Sequence, residues 1–190
     1  MFDDPILQKL VKRYPAPNFK NRSAFLYEDL LESIVSQQLS IKAADTIFGR
    51  VKSLFADTIP QPTMLLQTPD DTLRRAGLSY QKIAYIKSVA DAFLRDLIDH
   101  RQIKKMTDEE VIAQLTQIKG VGQWTAEMIL IFTLNRPDVF SLGDLGLRNA
   151  IKNLYGITDK EKMLQLSQTW SPYRSTASWY LWRSLENAKN

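Results

Sequence analysis

The chain contains no cysteine and a single histidine, His100, among its 190 residues. The missing thiols exclude disulfides, cysteine nucleophiles, thiolate zinc sites and cysteine-ligated iron–sulfur clusters together. One imidazole argues against a His-based metal site or a Ser-His-Asp triad, so any chemistry is expected from carboxylates, hydroxyls, lysines or aromatic rings. Long apolar runs are also missing. The most apolar stretch is Met128-Ile-Leu-Ile-Phe-Thr-Leu134, far short of the about 20 residues that span a bilayer. The N-terminus carries acids at Asp3 and Asp4 and no apolar core of a secretory signal, so the chain reads as an intracellular protein with no membrane partner. Neither hydrophobic content (44%) nor charged content (24%) departs from globular averages. The net charge of +4 permits an anionic partner without establishing one.

What is present is helical periodicity. The spacing predicts a helix from Ser23 to Leu39, with Phe25, Leu26, Leu30, Ile34 and Val35 on one side. Ser40 is placed to cap a second, with Ile41, Ala44, Ile47, Val51, Leu54 and Phe55 inward. Ile59-Pro-Gln-Pro-Thr reads as a loop, Pro69–Ala76 as a short helix ended by Gly77, and Tyr80–Ile98 as a long one burying Ile83, Ile86, Val89, Ala90, Phe93, Leu94 and Leu97. Thr107-Asp-Glu-Glu110 has capping-box spacing before a helix to Leu115. Further helices are expected at Gln123–Leu134, Leu145–Leu154, Asp159–Thr169 and Pro172–Ala188, the last with proline in its first turn. No strand pair stands out, and the fold class is all-α.

The most informative segment is Leu115-Thr-Gln-Ile-Lys-Gly-Val-Gly-Gln-Trp-Thr-Ala126. A helix ends, a turn with Gly120 and Gly122 follows, and a helix restarts. Glycine at both positions opens backbone torsions closed to other residues and leaves no Cβ in the way of a ligand. The restarting helix offers unpaired N–H groups and a positive dipole end, a site suited to a phosphodiester. An ordinary interhelical turn would look the same on glycine count alone.

Five ordered blocks over residues 23–185 go further. The hairpin Gly120-Val-Gly-Gln-Trp-Thr-Ala126 is followed by Asp138-Val-Phe-Ser-Leu-Gly-Asp-Leu-Gly-Leu-Arg148. Upstream lie Ile34-Val-Ser-Gln-Gln-Leu-Ser-Ile41 and Leu73-Arg-Arg-Ala-Gly-Leu-Ser-Tyr-Gln-Lys82; downstream lies Trp170-Ser-Pro-Tyr-Arg-Ser175, then Trp179 and Trp182. In this order the blocks resemble the helix-hairpin-helix DNA glycosylase superfamily, and in particular its 3-methyladenine DNA glycosylase II branch, which acts in alkylation repair. The resemblance implies a two-lobed all-α fold with an active-site cleft between the lobes. Residues 22–136 would form the lobe with the hairpin, and residues 1–21 with 137–190 the other, in one compact catalytic unit.

It also implies roles. Asp144 maps onto the family's catalytic aspartate; a cap for the helix at Leu145 is a compatible second duty. Relatives that also cut the sugar–phosphate chain carry a lysine where this chain has Trp124, so a Schiff base with the sugar is not expected and the enzyme would be monofunctional. Trp124, with Trp182 and nearby Tyr173, would line the base pocket and stack on an electron-poor alkylated purine. Met128 and Leu145 stand where the branch often has aromatics. Aromatic residues at helical spacing are otherwise core residues, as Trp179 and Tyr180 are read here. The turn at Gln38, Leu39 and Ser40 would fill the gap left by an extruded base, unless it is a plain helix corner with Leu39 buried. Lys119, Gly120, Val121, Gly122 and Thr125 would hold the DNA backbone. No cofactor is expected beyond a structural sodium or potassium ion on backbone carbonyls near Ile118 and Val121.

Between Thr72 and Lys105 eight basic residues stand against three acidic ones, either a solvated helix face or an added phosphate contact. The expected partner is double-stranded DNA containing damaged bases, bound by a monomer in the cytoplasm of a bacterium or the nucleus of a eukaryote. The expected reaction is hydrolysis of the N-glycosidic bond of 3-methyladenine, with 7-methylguanine a further candidate. The alternatives are a non-catalytic helix-hairpin-helix damage sensor, a glycosylase for deaminated or oxidised bases, and an all-α interaction domain.

Overall fold

The computed structural model describes residues 2–99 and 101–186; His100, Ala188 and the side chain of Ile41, all named above, lie outside the described residues. Among those described there are α-helices and short 3-10 and π segments but no strand. The helices are α1 (Pro5–Arg13), α2 (Leu26–Ser36), α3 (Ile41–Ser53), α4 (Pro62–Gln67), α5 (Asp70–Arg75), α6 (Tyr80–Leu94), α7 (Asp108–Leu115), α8 (Gln123–Met128), α9 (Leu145–Tyr155), α10 (Lys160–Gln168) and α11 (Arg174–Glu186). They fall into two compact units, one of residues Arg22–Ile129 and one of Met1–Asn21 with Leu130–Asn190. The division lies within the apolar segment after the hairpin, not at the Asn135-Arg136-Pro137 break.

The unit of residues 22–129 is built around α6, which packs against α2, α4 and α5 and buries Ile83, Ile86, Val89 and Ala90. Three of its helices begin on side-chain caps, those at Ser40 and Thr107 as predicted and that at Ser79 in addition. Ser40 Oγ accepts the Ala43 N–H at 3.3 Å, Ser79 Oγ accepts that of Lys82 at 3.2 Å, and Thr107 with Glu110 forms a complete capping box. Four expectations fail here for local reasons. Pro62 opens α4 at its first position, where a missing N–H costs nothing, so part of the expected loop is helical. α2 begins only at Leu26, which leaves Phe25 at the cap, exposed under the Arg22 guanidinium. α6 stops at Leu94 because Asp96 turns left-handed (φ 53°), and Leu94 and Leu97 are exposed instead of buried. Leu54, the cap of α3, is exposed as well, and Phe48 takes the buried position.

The other unit joins α1 to the C-terminal helices. Leu7, Leu10, Leu147, Ile151, Met163, Trp170, Tyr180 and Leu181 share its core. Asp4 ties the two chain segments together. One carboxylate oxygen caps α1 by accepting the Ile6 and Leu7 N–H groups at 2.8 and 3.1 Å. The other accepts the Tyr155 hydroxyl at 2.7 Å and the Trp170 indole N–H at 3.0 Å. Burial, and then this carboxylate, push the Tyr155 phenol above its ordinary range. The expected helix through Leu134 instead changes to a π turn over Ile129–Thr133, a form that recurs at functional sites.

Candidate active site and DNA-binding surface

The segment from Arg136 to Asp144 is irregular, and its backbone polar groups need partners. The start of α11 supplies them. Ser175 Oγ donates to Arg136 O at 2.6 Å and accepts the Val139 N–H at 3.0 Å. In return, Pro137 O accepts the Ser175 N–H at 3.0 Å, and Asp138 accepts the Arg174 N–H at 3.2 Å and a two-pronged guanidinium contact at 2.8 and 3.0 Å. This capping from a distance explains why α11 starts at Arg174 and not in a turn holding Pro172. Burial alone would raise the Asp138 carboxyl, but the Arg174 and Ser171 hydrogen bonds outweigh it and hold the group below the ordinary carboxylate range.

Stapled in this way, the segment delivers Asp144 to the N-cap of α9. The carboxylate is 9% exposed. Its Oδ1 accepts the Leu147 N–H at 2.7 Å and the Trp182 indole N–H at 2.9 Å. Both donors fix the orientation of the carboxylate. Gly146 makes room for this pair: a Cβ there would lie 3.0 Å from Asp144 Oδ1 and 3.1 Å from Trp182 Cδ1. Trp182 is flanked in turn by Phe132 from the π turn, ring centroids 5.7 Å apart and 31° from parallel. Phe132 contacts Phe19, and Phe19 contacts Trp179, both edge-on.

In the unit of residues 22–129, α7, the hairpin and α8 form the second region. The Val121 N–H closes the turn onto Ile118 O at 3.0 Å. Its two glycines serve different needs. Gly120 has φ +96°, and a Cβ there would sit 2.3 Å from Tyr85 Cγ, so only glycine fits. Gly122 caps α8 with φ −91°, open to any residue, and a Cβ would meet nothing within 4 Å. The expectation of special torsions at both positions is therefore corrected; at Gly122 the absent side chain leaves open surface instead. A cavity of about 460 Å³ opens beside the hairpin, lined by Gln37, Gln38, Lys82, Tyr85 and Gly120–Gly122 among others.

The turn between α2 and α3 borders the same cavity. Gln38 is held left-handed at φ 59°, and Leu39 is 38% exposed, not buried in a helix corner. Their neighbours are fixed. Gln37 Nε2 donates to Gly120 O at 3.2 Å, and Lys82 Nζ donates to Val35 O and Gln37 O at 2.6 and 2.7 Å.

Compared with known proteins, residues 31–173 match the HhH-GPD superfamily of base excision DNA repair proteins. The chain belongs to that superfamily. It is 40% identical over 183 residues to DNA-3-methyladenine glycosylase 1 of Schizosaccharomyces pombe, covering 94% of this chain and 80% of the relative. Among solved structures it is similar to the S. pombe 3-methyladenine DNA glycosylase Mag1 in complex with abasic DNA, with a TM-score of 0.88 and 37% identity over 99% of this chain and 95% of that one. A DNA-3-methyladenine glycosidase from Bacillus halodurans gives a TM-score of 0.78 at 37% identity, covering 96% and 89%. The fold is thus the all-helical HhH-GPD fold.

Within this frame the sequence-selected residues divide. Trp124 is 42% exposed on α8, and Tyr173 and Leu145 are also open to solvent, while Met128 is half-buried. Lys119 is exposed on the hairpin. Thr125 is 2% exposed, so its side chain packs inward. The Val121 side chain is buried too, and its N–H is spent on the turn. Ser40 caps α3 with its hydroxyl. Tyr180 is core and Trp179 half-buried. Sequence reasoning missed Gly146, Phe132, Lys82 and Tyr85. Only Gly146 carried a signal, as a glycine in a first helical turn beside an acidic cap. Among the described residues no group of three or more acidic or histidine side chains is placed to hold a metal ion, and no helix is long and apolar enough to cross a membrane.

Proposed function

We propose that this chain is a monofunctional DNA glycosylase that hydrolyses the N-glycosidic bond of alkylated purines in duplex DNA, 3-methyladenine first and 7-methylguanine as a further substrate. The observation that carries the reading is the Asp144 carboxylate, nearly buried, with Oδ1 held by the Leu147 N–H and the Trp182 indole. A fixed negative charge of this kind stabilises the oxocarbenium-like sugar that forms as the base departs. N3-alkylation makes the base cationic, so the C1′–N bond breaks with its electron pair going to the base, which leaves neutral. Water then adds its oxygen to C1′ and releases a proton, giving an abasic site. No amine joins the sugar: the position that carries lysine in the strand-cutting relatives holds Trp124, whose exposed indole face stacks on an electron-poor base.

Duplex DNA must release that base from its stack. Gln38 and Leu39 act as the wedge that fills the gap, and the exposed Lys119 with the open backbone at Gly120 and Gly122 holds a phosphate. Tyr173, Leu145 and Met128 are each assigned to contact the base. The reaction needs water and no cofactor. Ile118 O, engaged by one N–H, keeps a lone pair with which it and Val121 O would hold a structural sodium or potassium ion. The chain works as a monomer where the genome lies, in the cytoplasm of a bacterium or the nucleus of a eukaryote. The test is release of bases from methylated duplex DNA by the wild type and by Asp144→Asn. Release of 3-methyladenine by the wild type alone is expected, with DNA binding retained by the variant; full release by Asp144→Asn refutes the assignment.

A further inference from the structure

α6 presents two side chains one turn apart, and each grips a different element. Lys82 donates to the carbonyls of Val35 and Gln37 at 2.6 and 2.7 Å, closing the C-terminal end of α2 at the point where the Gln38–Leu39 turn leaves it. Tyr85 lies against Gly120 so closely that a Cβ there would sit 2.3 Å away. Its hydroxyl accepts the Gln81 amide at 2.7 Å. Gln37 closes the bracket by donating to Gly120 O at 3.2 Å. Lys82 is half-buried, and burial lowers its pKa, a cost that surface lysines avoid.

A cation at a helix C-terminus interacts favourably with the last carbonyls. Here it does so where the chain must enter the left-handed conformation at Gln38, which disfavours a non-glycine residue and persists only when the surroundings fix it. We propose that Lys82 is a positioning residue for base extrusion. Its ammonium group presets the Gln38–Leu39 turn in the shape that enters the duplex, at a separation from the phosphate-binding hairpin set by Tyr85. Lys82 therefore acts before the chemical step and through the wedge, not on the sugar or the base. The inference rests on the wedge role proposed for Gln38 and Leu39, and the two fail separately.

The probe is a duplex with a tetrahydrofuran abasic analogue beside 2-aminopurine, whose fluorescence rises when the wedge unstacks it. At saturating wild-type protein the rise is expected in full. The Gln38→Ala/Leu39→Ala double variant should lose it; an undiminished rise there refutes the wedge reading and this inference with it. Lys82→Met should give less than about half of the rise and about a tenfold lower single-turnover release of methylated bases from duplex DNA, the loss of one to two charge-assisted hydrogen bonds. Its affinity for undamaged duplex should stay within about twofold. Lys82→Arg, which keeps charge and donors, should restore most of the signal, and Lys82→Gln serves as a second neutral variant. A full rise in Lys82→Met while the double variant is impaired overturns the inference and leaves the wedge standing. Failure of Lys82→Arg to rescue, or loss of folding in both neutral variants, also overturns it.

Discussion

The hairpin glycines should respond to alanine in opposite ways. At Gly120 the substitution forces an L-residue to φ +96°, worth about 1–2 kcal/mol. It also drives a methyl group to 2.3 Å from Tyr85 Cγ and 2.6 Å from Tyr85 Cβ. The ring cannot swing away at its far end, because the contact is at its root, so overpacking adds about 1–3 kcal/mol. The total of about 2–5 kcal/mol is a large share of the 5–15 kcal/mol of a typical domain. For a chain of this size it lowers Tm by roughly 4–20 °C. Gly122→Ala meets no neighbour and an ordinary φ; its Tm should stay within about 2 °C while affinity for duplex DNA falls, because the methyl would stand on the surface proposed to meet a phosphate. Thermal melting followed by circular dichroism, with DNA titration by fluorescence anisotropy, separates the two. Adding Tyr85→Ala to Gly120→Ala should recover part of the loss, the non-additivity expected of groups in contact. Equal melting temperatures for the two single variants would refute the division of labour.

The other predictions concern the unit that carries Asp144. Trp182→Phe removes the indole N–H from Asp144 Oδ1 and should lower single-turnover base release about tenfold or more with DNA affinity little changed; wild-type release would show that the bond does not orient the carboxylate. Gly146→Ala presses on both partners of that bond and should cut release by a comparable factor with a Tm shift of only a few degrees. The folded-state pKa of Asp138 is depressed, so its contribution is present above the unfolded value near 4 and is lost as pH falls through the folded one. Asp138→Asn should therefore be less stable than wild type at pH 6 and converge with it toward pH 2 in urea melts; a pH-independent difference would contradict the linkage. Asp4→Ala removes the α1 cap and leaves the Tyr155 hydroxyl and the Trp170 N–H without their acceptor, costing about 2–5 kcal/mol in the same melts; a loss below about 1 kcal/mol would refute the account.

Helix existence was legible because it is written in local periodicity and caps: Ser40, Thr107 and Asp144 each accept the backbone N–H that their spacing anticipates, and Ser79 and Asp159 add caps that the sequence reading did not name. Helix ends were less so. Leu97 continues an apolar pattern, yet Asp96 breaks the backbone before it, and the start of α11 depends on Asp138, remote in sequence. Local geometry was legible where a residue type is demanding, as with Asp144 at the cap of α9 and Gly120 in the hairpin turn; the role of Asp144 in chemistry came from the family resemblance. Geometry was not legible where the requirement is tertiary. Nothing in the one-dimensional pattern says that Tyr85 will press on Gly120, that Lys82 will be spent on carbonyls, or that Thr125 will face inward.

That limit bears on how charge in this chain should be read. Of the eight basic residues between Thr72 and Lys105, Lys87 is paired with Asp70 and Arg95 with Asp91, while Arg74 and Lys82 donate to backbone carbonyls. Their positive charge is spent in holding the fold, and a count of cations along the sequence overstates what is offered to a phosphate backbone. Lys119 is on the hairpin itself, exposed, one residue from the glycine that Tyr85 fixes. A phosphate contact depends less on net charge than on a cation and open N–H groups held at fixed spacing. On the roles proposed above for the hairpin and the wedge turn, the basic stretch would act on DNA chiefly through Lys82 and Tyr85, by setting where those two turns stand, and only secondarily through long-range attraction. On that reasoning, neutralising Lys119 should lower the salt slope of binding by close to one unit, whereas neutralising Lys82 should leave the slope almost unchanged while reducing base extrusion.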